Sequence, residues 1–133
     1  MKLTSKSEYA LLALIYLARC KVDSFVPVHE IAAAQGIPPK FLEQILLILK
    51  RAKYLRSLRG QAGGYSLAKP AGQIHLAEII RLFDGALAPT ESVSSYFYES
   101  TPIEKEQSLM ALFRDIRDYI SSKLEGTTLA DVC

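Results

Sequence analysis

Residues 31–70, IAAAQGIPPKFLEQILLILKRAKYLRSLRGQAGGYSLAKP, contain the pattern that decides the fold. Gly36 ends a short helix, and Pro39 suits the first position of the next helix because that position needs no backbone N–H. Two helices joined by so short a turn are typical of a helix-turn-helix. Alternating residues at 54–58 and 65–67 flank a glycine-rich segment, which predicts a β-hairpin. We therefore predict a winged helix-turn-helix, a mostly α-helical fold with a small β-hairpin wing.

The first predicted helix, about 6–20, is apolar enough to be compared with a signal peptide or a membrane span. Its uninterrupted apolar run, Tyr9–Ala18, is ten residues long, whereas a membrane span needs about 20. Ser5 and Glu8 have the spacing of a capping box, in which the two side chains satisfy early N–H groups of a helix. We therefore predict that this segment is the central helix of a cytoplasmic protein with no membrane contact.

The residues with reactive side chains do not form a recognisable active site. Two cysteines, Cys20 and Cys133, are too few for a disulfide framework or a four-thiolate zinc site. The histidines, His29 and His75, lie far from both cysteines in the sequence, and no catalytic motif is present. Gly60–Gly64 lacks the Gly-Lys-Ser/Thr ending of a phosphate-binding loop. We predict that the protein is not an enzyme and has no metal site.

Positive charge is concentrated in the first half of the chain. Residues 1–70 contain eleven Lys and Arg against four Asp and Glu, whereas residues 71–133 contain five against ten. A basic half attracts a polyanion, and an acidic half keeps the rest of the chain away from it. Chance segregation also occurs in small domains, so the positions of the basic residues decide between these interpretations.

The second helix of the motif, about 39–53, has one apolar and one polar face at 100° per residue. In a helix-turn-helix, the N-terminal part of this helix enters the major groove. Lys40 can donate hydrogen bonds to guanine, Gln44 can pair with adenine, and Glu43 can accept a hydrogen bond from cytosine N4. Leu47 lies on the same face and could contact a thymine methyl group. The alternative interpretation is a polar face that contacts only solvent. The basic residues that follow this face favour a contact with DNA.

Basic residues without an intervening acid follow this face: Lys50, Arg51, Lys53, Arg56 and Arg59. We predict that Lys50 and Arg51 contact phosphates, which requires reach and charge rather than exact geometry. Arg59 and Gly60 lie at the predicted wing tip, where the guanidinium can enter a minor groove. The predicted partner is therefore double-stranded DNA.

The chain after the wing predicts an appendage rather than a second domain. Residues 1–85 form the DNA-binding domain, 86–102 form an irregular loop, and 103–133 contain a long amphipathic helix and a short tail. A compact winged helix does not need the apolar stripe of this helix. We therefore predict a homodimer on a palindromic operator, with recognition helices about 34–36 Å apart. The predicted dimerisation residues are Leu109, Leu112, Phe113, Ile116 and Ile120.

A second hypothesis is a protein-interaction module, in which the long helix and the acidic loop dock a metabolic enzyme. Weak, salt-sensitive and sequence-indifferent DNA binding, combined with tight capture of a partner, would favour this hypothesis. Sequence-selective DNA binding would favour the regulator.

Four segments resemble the Rrf-two-type bacterial regulators, a family that includes the iron–sulfur cluster regulator and the cysteine-metabolism repressor. The segments are MKLTSKSEYALLAL at the start, the block 31–70, IHLAEIIRLFDG, and ALFRDIRDYISSKLEGTTLADV near the end. Phe-Leu-Glu-Gln and Arg-Gly-x-x-Gly-Gly-Tyr within the block are the specific parts. The resemblance covers nearly the whole chain and implies a dimeric winged-helix transcription factor with the Lys40–Gln44 segment and Arg59 on DNA.

The loop before the long helix departs from the family pattern. The iron–sulfur members hold a 2Fe–2S cluster there through three cysteines and a histidine, whereas ALAPTESVSSYFYESTPIEKE has neither residue type. Such a cluster needs thiolates, so we predict no cofactor bound through this loop. Its four glutamates are more typical of a solvated loop than of a cation site. The sequence leaves open which signal the protein senses: a small molecule, a partner protein, oxidation of Cys20 or Cys133, or a cluster with other ligands.

Overall fold

The computed structural model describes the whole chain, residues 1–133. It is a winged helix-turn-helix followed by a long helix, which confirms the predicted fold class. In chain order the elements are α1 (Ser5–Arg19), α2 (Val28–Gln35), α3 (Pro39–Arg51), β1 (Leu55–Leu58), β2 (Gly64–Leu67), α4 (Leu76–Asp84), α5 (Gln107–Glu125) and α6 (Leu129–Val132). Short 3₁₀ turns cover Ala71–Gln73, Glu91–Val93 and Pro102–Lys105.

The core surrounds α1, which contacts α2, α3, α4, β2 and α6. The apolar residues of α1 that are buried there are Ala10, Ala13, Leu14 and Leu17. The antiparallel strands β1 and β2 pair from Leu55 with Leu67 to Leu58 with Gly64 and form the wing. No helix combines the length and the hydropathy that a membrane span requires.

The cap of α1 is Thr4 rather than the predicted Ser5. The Thr4 hydroxyl accepts a hydrogen bond from the Ser7 N–H at 3.3 Å. Asp84, the last residue of α4, accepts hydrogen bonds from the Thr4 hydroxyl and, at 2.6 Å, from the buried Ser7 hydroxyl. The predicted capping box of Ser5 and Glu8 is therefore wrong. The start of the helix is set by a contact with α4, which no local pattern reveals.

The C-terminal tail, for which the sequence indicates no element, folds into α6. Leu129 is fully buried in the main core, and its N–H donates to the Ile74 carbonyl at 2.8 Å. The Leu76 N–H donates to the Thr127 carbonyl at 3.0 Å. These contacts attach the end of α5 to the start of α4. The long helix itself begins at Gln107, later than predicted, because Pro102–Lys105 is a 3₁₀ turn.

Candidate nucleic-acid interface

The turn between α2 and α3 determines how α3 is presented. Gly36 ends α2 in the left-handed region, with φ of 66°. Ile37 is only 3% exposed, and its N–H donates to the Ala32 carbonyl at 3.0 Å. Pro38 and Pro39 then start α3, in which a proline at the first position loses no hydrogen bond. The α3 residues that face the core, none more than 1% exposed, are Leu42, Ile45, Leu46 and Leu49.

The opposite face of α3 carries the predicted DNA-contacting side chains. Lys40, Glu43 and Gln44 near its N-terminus and Lys50 and Arg51 in its last turn are all exposed. None of these five side chains has a hydrogen bond or an ion pair within the chain. Leu47, 39% exposed, lies between the two groups. The arrangement can therefore present hydrogen-bonding side chains and unpaired cations to a duplex.

The wing tip is a five-residue connection between β1 and β2 that begins with Arg59. Arg59 is exposed and unpaired, and Gly60 beside it has a φ of 106°, which favours glycine. At Gly64 the space for a side chain is the constraint. A Cβ atom on it would lie 2.1 Å from the Val26 carbonyl oxygen. The backbone of this glycine-rich segment therefore lies in close contact with the segment before α2.

Arg56 differs from the other bases of the predicted basic run. It forms an ion pair with Asp23, and its guanidinium lies over the Phe25 ring, 5.1 Å from the ring centroid. Both contacts direct its side chain toward the loop between α1 and α2. Arg56 is therefore engaged within the chain by an acid that is distant in sequence, whereas Lys50, Arg51 and Arg59 have no acidic partner.

Lys53, two residues after the end of α3, has a conformation that normally belongs to glycine. Its φ is 70°, in the left-handed region. Its N–H donates to the Lys50 carbonyl, and the Tyr54 N–H donates to the Leu49 carbonyl, both at 2.9 Å. This pair of hydrogen bonds is the Schellman motif. A side chain with a Cβ atom in this conformation costs about 1 kcal/mol, so the lysine at this position lowers the stability of the folded protein.

The predicted dimerisation residues are divided between two sides of α5. Phe113 packs with Met110 against Ala88 and Val93, and Ile120 packs against α4, so both face their own chain. Leu109, Leu112 and Ile116 stay exposed at 37%, 52% and 38%. Tyr119, 73% exposed, lies beside them at helical spacing and is absent from the prediction. Its seven-residue separation from Leu112 is the signal that could have identified it.

The loop between α4 and α5 contains no donor set for a metal or a cluster. Nowhere in the chain do three His, Cys, Asp or Glu side chains come together in a position to hold a metal ion. The half-buried Cys20 lies at the end of α1, and the exposed Cys133 is the last residue. The residues at the position of the family's cluster loop therefore offer no thiolate or imidazole to a 2Fe–2S cluster.

The comparisons with known proteins agree with this architecture. The Rrf2 family, described as iron-dependent transcriptional regulators, matches residues 3–133. The chain belongs to the Rrf2 family. An HTH-type transcriptional regulator of Mycobacterium tuberculosis (strain H37Rv) is 39% identical over 136 residues, which is 99% of this chain and 81% of the relative. The HTH-type transcriptional regulator IscR of Cronobacter sakazakii is 33% identical over 133 residues, which is 99% of this chain and 80% of IscR.

Among solved structures, CymR, the global cysteine regulator of B. subtilis, is similar over 99% of this chain and 95% of its own. The TM-score is 0.85 at 29% sequence identity. This Rrf2 protein is therefore a DNA-binding transcriptional regulator and not an enzyme, as predicted from the sequence.

We expect Lys53→Gly to raise the free energy of unfolding by about 0.5 to 1 kcal/mol, because glycine adopts the left-handed conformation without a steric cost. Urea unfolding followed by far-UV circular dichroism measures the change. Lys50→Gly is the matched control inside α3, where glycine is expected to lower the same free energy by about 1 kcal/mol. Changes of the same sign in the two variants would contradict this account of how the helix ends.

Proposed function

We propose that this Rrf2 regulator binds a palindromic operator as a homodimer, with α3 in the major groove and the wing tip in an adjacent minor groove. The observation that carries the proposal is the exposed polar face of α3, whose basic residues have no acidic partner in the chain. Burial of the opposite face leaves this surface outward. Because bacterial DNA lies in the cytoplasm, we also propose a cytoplasmic location.

The proposed contacts divide into base readout and phosphate contact. Lys40, Glu43 and Gln44 lie within the first two turns of α3, the part of a recognition helix that reaches base edges. Glu43 accepts from cytosine N4 and disfavours guanine and thymine, whose major-groove edges offer hydrogen-bond acceptors but no donor. Lys50 and Arg51 in the last turn contact phosphates, and Arg59 with Gly60 enters the minor groove.

The proposed dimer forms through the exposed side of α5. Leu109, Leu112, Ile116 and Tyr119 cover a narrow arc of this helix and contact nothing in their own chain that would bury them. A two-fold axis along this arc would bring the same four residues of two chains together, as an isologous interface requires. Phe113 and Ile120 contribute indirectly, because they hold α5 against its own domain.

We also propose that the loop at 86–102 does not hold a 2Fe–2S cluster. Its polar side chains are bonded to one another and to the 3₁₀ turn that follows. The Tyr98 and Ser100 hydroxyls donate to Glu104 in that turn, and the Thr101 hydroxyl donates to the Ser92 hydroxyl at 2.7 Å. The hydrogen bonds from Ser100 and Tyr98 lower the pKa of Glu104. These oxygen atoms are hard donors, whereas an iron–sulfur cluster is held by soft thiolates.

Two substitutions on α3 distinguish base readout from phosphate contact. Gln44→Ala is expected to weaken operator binding by about 1–3 kcal/mol and to relax the base preference at one position per half-site. Arg51→Ala is expected to weaken operator and scrambled DNA alike and to reduce the slope of log Kd against log salt by about 0.9 for each lost phosphate contact. Fluorescence anisotropy across a series of KCl concentrations measures both quantities.

Arg114→Ala on the far side of α5 is the control for removal of one exposed cation, and we expect it to change neither the base preference nor the salt slope. The assignment of roles fails if Gln44→Ala and Arg51→Ala produce the same pattern on the two DNAs. Sequence-indifferent binding by the unmodified protein would instead support the protein-interaction module.

Ile116→Glu tests the dimer interface. The unmodified chain is expected at twice its 14.8 kDa mass, and the variant at the monomer mass, because a carboxylate cannot be buried against its own copy without a partner. Light scattering after size exclusion measures the mass, and circular dichroism shows whether the fold is retained. Leu47→Glu, at an equally exposed leucine on α3, is the matched control and should stay dimeric. A dimeric Ile116→Glu variant would place the interface elsewhere.

Anaerobic purification tests the cluster proposal directly. We expect no visible iron–sulfur absorption and no stoichiometric iron in the purified protein, because the loop has no thiolate or imidazole donor. Absorption of this kind that persists in both a Cys20→Ser and a Cys133→Ser variant would contradict the proposal, because it would place the cluster on the loop. Its loss in one of these variants would instead identify the ligand.

A further inference from the structure

A cavity of about 540 Å³ lies behind the wing, away from the recognition helix. Its walls come from four separate segments: the end of α1, the loop after it, the paired strands, and residues 68–71. This volume is in the range of small-molecule binding sites, about 300–1,000 Å³. None of these residues belongs to the proposed DNA contacts or to the exposed side of α5.

Ser66 on β2 lines this cavity and brings a hydroxyl group that has no partner within the chain. The residue is 5% exposed, and its hydroxyl makes no hydrogen bond within the chain. Every side-chain oxygen or nitrogen that is sealed from solvent has a hydrogen-bond partner in this structure. The Ser66 hydroxyl has no partner, so it is open to solvent, which reaches it through the cavity. Because it is open to solvent, this hydroxyl is free to donate to a ligand in place of water.

The charges around the cavity favour an anion. Lys21, Arg56 and Lys69 line it against a single acid, Asp23. Asp23 is already paired with Arg56, which leaves two ammonium groups without an acidic partner. The Lys69 Nζ atom lies over the Tyr54 ring, 4.8 Å from the ring centroid. Burial, together with the nearby Glu78, raises the pKa of Tyr54 to about 12, so the phenol beside Lys69 stays neutral.

The rest of the lining is apolar. Leu17, Leu67 and Ala71 form part of the wall, and Cys20 lies beside them. Burial raises the pKa of the Cys20 thiol, with a smaller contribution from Glu30, so this cysteine behaves as a neutral, weakly polar group. The cavity thus combines an apolar wall with a cationic and hydrogen-bonding side.

We propose that this cavity is an effector site for a small organic carboxylate with an apolar body. The carboxylate accepts a hydrogen bond from the Ser66 hydroxyl and is attracted by Lys69 and Lys21, while the apolar body lies against Leu17 and Leu67. A neutral ligand of the same shape would leave the two ammonium groups uncompensated, and a cation would be repelled.

The site is placed to influence the wing, and this part rests on the proposed DNA-binding role. Arg56 and Ser66 are directly opposite each other in the β1–β2 pairing, so a ligand touching Ser66 lies against both strands of the wing. The loop that carries Asp23 leads into Val26, which exchanges two backbone hydrogen bonds of 2.8 Å with Tyr65. Ligand binding that shifts this loop or the Arg56–Asp23 pair also shifts the strands that carry Arg59. Ligand and DNA affinities are then coupled reciprocally.

Binding is tested without DNA, on the intact ¹⁵N-labelled protein, with benzoate and hexanoate as probes and with benzamide and hexanamide as neutral counterparts. Acids of this size are expected to bind with Kd on the order of 1 mM. At least one carboxylate should give saturable shifts of the backbone amide signals at residues 17–23 and 66–71. Its Kd should be about tenfold lower than that of its neutral counterpart. Ser66→Ala and Lys69→Met should each weaken binding by about fivefold. Lys105→Met, outside the cavity, is the matched lysine control and should leave Kd unchanged.

The proposal is overturned if neither carboxylate gives saturable shifts, if an amide binds as tightly as its acid, or if the shifts map to α5 instead. Operator affinity is then measured with and without the binding carboxylate, and a change of at least about fivefold that disappears in Ser66→Ala is expected for an effector. An unchanged operator affinity on carboxylate saturation would overturn the effector role. Loss of specific operator binding by the ligand-free protein would instead overturn the proposed function and leave the ligand result intact.

Discussion

Packing of the apolar face of α3 against α1 is the interaction on which the other features of the molecule depend. Leu42, Ile45, Leu46 and Leu49 are completely or almost completely buried, and each contributes about 1.5–3 kcal/mol by leaving water. A rotation of α3 that exposed them would therefore cost more than the whole stability of many small domains. The polar face is held outward by this penalty, whether or not DNA is present.

The wing is held from two sides, so its tip has a defined position relative to α3. On one side, the backbone of Val26 pairs with Tyr65 and the Arg56 side chain pairs with Asp23. On the other side, the Tyr54 hydroxyl at the base of the wing donates to Glu78 of α4 at 3.2 Å. In the proposed complex, a side chain at the tip, such as Arg59, would reach a groove at a fixed offset from α3.

Membership of the Rrf2 family accounts for the scaffold, while the loop before α5 distinguishes this chain from the iron–sulfur members. The scaffold depends on apolar packing and backbone geometry, which many sequences can satisfy. Cluster binding depends on three or four particular donor atoms, and without them the same loop has a different chemistry. The cavity behind the wing offers a site at which a signal could reach the DNA-binding surface without passing through that loop.

Local patterns were sufficient to predict the winged helix, the polar face of α3 and the position of Arg59. The Gly36–Pro39 turn, the helical periodicity and the alternating strands each depend on residues that are close in sequence. Other features join residues that are distant in the chain: the contact of Asp84 with Thr4, the burial of Leu129, and the division of α5 into an inner and an outer side. No periodicity encodes such contacts, because they arise only when the packed elements bring their side chains within reach of one another.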